Sequence, residues 1–148
     1  MDQPTAEDAL KELEPLVGEW TLHATPAGGP PWPGEARAII EWHDSGAHLV
    51  ERETVEMPEA PNGISIMGCD AANGTYYKLH SDDRGVCRVY QMSIGGGEWR
   101  LWRQGEPFPQ RFTARFEDDG NTIVGQWEKA EDGTNYEVDF DLVYRRVR

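Results

Sequence analysis

Apolar and polar positions alternate most regularly near the end of the chain, from Asn135 to Arg146. Tyr136, Val138, Phe140, Leu142 and Tyr144 fall on one face there, and Glu137, Asp139 and Asp141 on the other. A period of two over this length predicts a half-buried antiparallel strand. Nine further stretches read as strands by the same alternation or by their bounding turns: Val17 to Thr25, Glu35 to His43, Ala47 to Val55, Gly63 to Ala71, Thr75 to Ser81, Val86 to Ile94, Gly97 to Gln104, Gln110 to Glu117 and Asn121 to Ala130. Asp44-Ser45-Gly46, Asn73-Gly74, Asp82-Asp83-Arg84-Gly85 and Gly95-Gly96 mark tight turns between them, with Asn73-Gly74 reading as a two-residue hairpin loop. The one helical pattern is Thr5 to Val17. There Thr5 and Asp8 suit a capping box, Ala9, Leu10, Leu13 and Leu16 form an apolar stripe, and Pro15 disfavours further helix.

Ten strands with short connections leave no room for a crossover helix, so the pairing must be antiparallel. A twisted sheet of ten strands curls. Pairing the last strand with the first, which opens at Gly18-Glu19-Trp20, would close it and remove both edges. The expected fold is therefore all-β, a closed antiparallel up-and-down barrel of about ten strands with a short N-terminal helix, in a single domain over residues 1–148.

Composition narrows the partners. The formal charge of −13 argues against nucleic acid and anionic membrane surfaces. No apolar run approaches the roughly 20 residues of a membrane-spanning helix. Met1-Asp2-Gln3-Pro4 does not resemble a secretory signal, and two cysteines, Cys69 and Cys87, make no disulfide framework. A cytoplasmic protein with two free thiols is expected.

Gly18-Glu19-Trp20 after a short helix, with Arg145 and Arg146 ending the last strand, resembles the signature of the calycins: lipocalins, fatty-acid-binding proteins and nitrobindins. The pattern, including Asp139-Phe140-Asp141-Leu142-Val143-Tyr144-Arg145-Arg146, looks most like an uncharacterised bacterial branch with ten-stranded barrels. The resemblance implies that Trp20 sits at a closed barrel end with an arginine of the final strand across it, a structural role. It departs from the nitrobindins, which hold haem through a late-strand histidine. Here Trp20 is followed by Thr21-Leu22-His23-Ala24, and no histidine follows His80. It departs from the fatty-acid-binding proteins too, because Tyr144 precedes Arg146 rather than following an arginine. No cofactor is expected.

Candidate chemistry centres on the sixth strand. Val86, Arg88, Tyr90, Met92 and Ile94 share a face on which Arg88 is the sole charge. A buried arginine needs an anionic or hydrogen-bonding partner. With Tyr90 it could meet a ligand carboxylate; alternatively it pairs internally with an acid such as Asp70, or lies at the rim. Trp99 and Trp102 point to opposite faces of their strand, so only one can be inside. Glu51 and Glu53 share a face with Leu49 and Val55 and read most simply as solvated. Gly125, beside Ile123 and Trp127, is expected at a bend or bulge. His43, His48 and His80 form no close metal motif.

The first functional expectation is non-enzymatic binding of a small hydrophobic or aromatic ligand, with an anionic group as an option. Trp42, Tyr90, Met92, Trp99 and Trp127 are the wall candidates, and Arg88 orients the polar end. The second is an isomerase, cyclase or hydrolase acting on a hydrophobic molecule in the same cavity, with Asp70, His80 or Glu51 as acid or base. An inward carboxylate–imidazole pair would favour it. The third is a ligand-free homodimer whose barrel is filled by its own side chains.

Overall fold

A computed structural model of the chain describes residues 6–57, 60–105 and 107–148. Ten antiparallel strands follow one another around a closed barrel: β1 (Gly18–Pro26), β2 (Ala36–Trp42), β3 (Leu49–Val55), β4 (Gly63–Asp70), β5 (Thr75–Asp82), β6 (Cys87–Gly95), β7 (Glu98–Arg103), β8 (Gln110–Glu117), β9 (Thr122–Lys129) and β10 (Glu137–Arg146). Closure is the pairing of β1 with β10, from Trp20 opposite Arg146 to Pro26 opposite Phe140. No helix among the described residues is long and apolar enough to cross a membrane.

One end of the barrel is stoppered. The helical stretch splits into α1 (Ala6–Lys11) and a 3-10 turn, Glu14–Leu16, carrying Pro15. The expected cap at Thr5 lies outside the described residues. Leu13 and Leu16 are fully buried against Trp20, whose indole Nε1 donates to the Leu16 carbonyl at 2.9 Å. Tyr76 Oη donates to the Ala9 carbonyl at 2.8 Å, and Trp42 Nε1 to Glu14 Oε2 at 2.8 Å. The Arg146 guanidinium lies 4.1 Å from the Trp20 ring centre and donates to the carbonyls of Val17, Pro15 and Gly120. Such a cation–π contact contributes about 0.5–2 kcal/mol. Gly18 is required there: φ is +149°, and a β-carbon would stand 2.4 Å from Arg146 Nη1.

Above the stopper the barrel is packed solid by Trp20, Trp99, Phe112, Leu101, Met67 and Met92, with Ala38 and Ala114 beside them. Trp99 meets Phe112 and Tyr144 edge to face. Gly125 makes no bend or bulge. It sits in register between Ala114 and Leu142, and a β-carbon on it would fall 2.4 Å from the Phe112 ring, so its role is to leave room. The bulge lies in β10 instead, between Val138 and Phe140. It breaks the expected alternation: Val138 is exposed, and Tyr136 turns out to stack under Arg111, 3.9 Å from its ring centre. Asn73-Gly74 is likewise no two-residue loop. Ala71–Asn73 form a 3-10 turn that Gly74 ends with φ +65°.

Strands β4 to β6 invert the usual polarity. Ile64, Ile66, Tyr77, Leu79 and Val89 are on the outside, each at least 40% exposed. The alternate positions, which include Lys78, His80, Asp82 and Arg88, face in.

Candidate functional site

The half of the barrel away from α1 is hollow. Its cavity, about 630 Å³, falls in the range of small-molecule sites. The mouth is formed by the β1–β2 loop carrying Trp32, the segment around Met57 and Pro61, and the β7–β8 loop with Phe108. Pro58 and Glu59, and Glu106 of the β7–β8 loop, lie outside the described residues.

The walls differ in chemistry. On the β9–β10 side, Trp127 and Phe140 lie 6.5 Å apart at 32°, and Trp32 folds over Phe140 at 5.3 Å. The β10 bulge sets Phe140 opposite Trp127. The β3–β6 side is ionic. Glu53, Lys78, His80, Asp82, Arg84 and Arg88 line it, with Glu51 buried behind. The reading of Glu51 and Glu53 as solvated is overturned: Glu51 is 1% exposed.

Lys78 Nζ stands 2.8 Å from Glu51 Oε1, with its ammonium 5.6 Å from the centre of the Trp99 ring. Burial works most strongly against the ammonium, but the charge and hydrogen bond of Glu51, with the charges of Glu53 and Tyr90, together exceed it and the net pKa is raised. Glu53 then stands as a second acid beside a cation already taken. Burial and the charge of Glu51 push it up to about 7. Its cross-strand neighbours are the small residues Ala38 and Gly63, and Glu53 lines the cavity.

Asp82 is held below the usual carboxylate range, chiefly by hydrogen bonds from Arg84. Arg84 Nη2 lies at 2.7 Å, Nε at 3.2 Å and the backbone N–H at 3.0 Å. His80 bridges Asp82 Oδ2 at 3.2 Å and Ser65 Oγ at 3.4 Å, which uses both ring nitrogens. A carboxylate–imidazole pair thus points inward within hydrogen-bond reach, and its acid is Asp82 rather than Asp70.

Arg88 is opposite His80 on the neighbouring strand. Its Nη1 donates to Gln110 Oε1 at 3.0 Å, and Tyr90 Oη donates to the same oxygen at 3.1 Å. No carboxylate among the described residues pairs with Arg88, so the expected alternative partner, Asp70, is ruled out; Asp70 accepts from Asn73 at 2.8 Å. Of the residues picked from sequence, Arg88, Tyr90 and Trp127 line the cavity. Met92 and Trp99 lie deeper in the packed half, and Trp42 sits against α1 at the stoppered end. Trp102 is outside, bonded to Gln91. His43 and His48 stack on each other at 4.8 Å across their turn, away from His80.

Sequence reasoning passed over Lys78, Asp82 and Gln110, and read Glu53 as solvated. The signal for one of them, Lys78, was available. Directly opposed residues of an antiparallel pair share a face. An inward Arg88 therefore carries His80 inward with it, and an inward Tyr90 carries Lys78.

No protein-family model matches the chain, and none of the curated proteins matches it. Among solved structures it is similar to the crystal structure of Rv2717c from M. tuberculosis, with a TM-score of 0.66 and 15% sequence identity over 95% of this chain and 98% of that one. At that identity the likeness is one of fold, and it is consistent with the calycin-like barrel suggested by Gly18-Glu19-Trp20 and Arg146.

Proposed function

We propose that the protein binds a small aromatic carboxylic acid, or a molecule of that shape and charge, in the open half of the barrel. The observation that supports this most is Arg88: a cation facing a cavity, fixed by the neutral Gln110 and with no carboxylate partner among the described residues. A guanidinium in such a place recognises a carboxylate through a pair of parallel hydrogen bonds. Tyr90 stands beside it with its hydroxyl on the same Gln110 oxygen. Trp127, which meets Tyr90 edge to face at 5.5 Å, and Phe140 add aromatic lining for an aromatic body, with Trp32 over Phe140 as a cover.

The test is native mass spectrometry of protein taken from its own cell, together with quenching of tryptophan emission by added aromatic acids such as phenylpyruvate. Wild-type protein should retain or saturably bind an acid. Arg88→Met should lose it while keeping its circular dichroism. Retention unchanged in Arg88→Met removes Arg88 from the site; a wild-type barrel that neither carries nor binds any such molecule refutes the reading.

A further inference from the structure

We propose that this cavity is a proton-transfer site, in which Glu53 moves a proton between two atoms of an enolisable carboxylic acid anchored at Arg88. The inference rests on the binding reading above and adds a reaction to it.

Four acid–base groups face this wall, and geometry separates them. Asp82 is tied up by Arg84 through both oxygens. Glu51 is sealed behind the wall and paired with Lys78. His80 has each ring nitrogen engaged, one by Ser65 and one by Asp82. Of these four, Glu53 alone lines the cavity with no described residue hydrogen-bonding its carboxyl. Alanine and glycine flank it on the two adjoining strands, so nothing on β2 or β4 stands between it and a guest. A structural acid would be expected to accept hydrogen bonds; this one is bare. The charged groups that act on it are Glu51 on its own strand and Lys78 and Asp82 on β5. Burial first, then the charges of Glu51 and Asp82 against that of Lys78, hold it at about 7, where an acid–base group changes state most readily near neutral pH.

The chemistry closes without a co-reactant. The Glu53 carboxylate takes a proton from the carbon next to a carbonyl; the C–H electron pair becomes the carbon–carbon double bond of the enolate, and the carbonyl π pair moves to the oxygen. The same carboxyl then returns its proton to a different atom, giving the tautomer or shifted double bond. Lys78 and Arg88 on the same wall provide the positive field in which the enolate charge develops.

Phenylpyruvate tests this: it is an aromatic acid with exchangeable hydrogens next to a ketone. Exchange of those hydrogens in deuterated buffer is followed by proton magnetic resonance, with binding measured by tryptophan quenching in the same samples. Wild-type protein should exceed the buffer rate. Glu53→Gln, compared at saturating phenylpyruvate, should lose a factor of roughly 100 or more in exchange rate, the usual share of a general acid–base group. The wild-type rate should rise through about pH 7 as the carboxyl ionises. Bound phenylpyruvate exchanging at the buffer rate overturns the proton-transfer proposal and leaves the binding reading standing. No saturable binding overturns both. If Glu53→Gln does not fold, a flat wild-type pH profile is sufficient to reject Glu53 as the base.

Discussion

Replacing Glu53 by Gln gives a stability change whose size depends on pH. Linkage fixes its sign. The folded carboxyl is held at about 7 against an ordinary value of 4.5, so below about 4.5 both folded and unfolded chains carry the proton and the site is neutral in its effect. Between those values the unfolded chain releases its proton and the folded one keeps it. Folding stability therefore falls as pH rises through this window, and the loss is complete above it. Gln carries no proton to release and removes the loss. The sequence isoelectric point near 4.6 makes the acid end of the window unsuitable for measurement. From about pH 5.5 to the folded value is about 1.5 units, which at 1.36 kcal/mol per unit is about 2 kcal/mol. Urea unfolding of wild type and Glu53→Gln at about pH 5.5, 6.5, 7.5 and 8.5 provides the assay. The variant's advantage should grow by about 2 kcal/mol across the series and level off at its upper end. An advantage that is constant with pH would show that Glu53 is already ionised in the folded barrel, and the charge account of Glu51, Glu53 and Lys78 would fall with it.

Two further substitutions probe the interior. Lys78→Met strands the Glu51 carboxylate in the core and should cost about 3–5 kcal/mol, read by denaturant unfolding; Glu51→Gln in the same chain should return much of it, and additive losses would deny the pairing. Gly125→Ala drives a methyl into the Phe112 ring and should lower stability by about 1–3 kcal/mol with near-ultraviolet circular dichroism altered, whereas a silent substitution would contradict the close packing.

The fold was legible because each strand is short, alternating and bounded by its own turn. Closure could be anticipated from both ends: Gly18 accommodates Arg146, and Trp20 lies under it. The interior was harder to read. Tyr77 and Leu79 look like core and Lys78 and His80 like surface, since a half-buried strand normally hides its apolar face. In β5 the hollow reverses the preference, because a solvent-filled or ligand-filled lumen is a polar place to point. The β10 bulge was invisible for a different reason. Alternation runs unbroken through Tyr136, Val138 and Phe140, and only pairing with β9 shows that Asp139 is an extra residue. Arg88 could be singled out because one charge among four apolar neighbours needs an explanation, whereas Gln110 carries no such contrast on its own strand.

The stopper built from α1 and its 3-10 turn closes one end of the barrel, and the cavity of the described residues opens at the other, under Trp32. A guest bound as proposed would enter and leave there. Trimming Trp32 to alanine would then widen traffic in both directions at once, quickening capture and escape together. On the binding proposal, residence time and occupancy become separable: the rim would set how fast a guest is traded, and the deeper ionic wall how tightly it is kept.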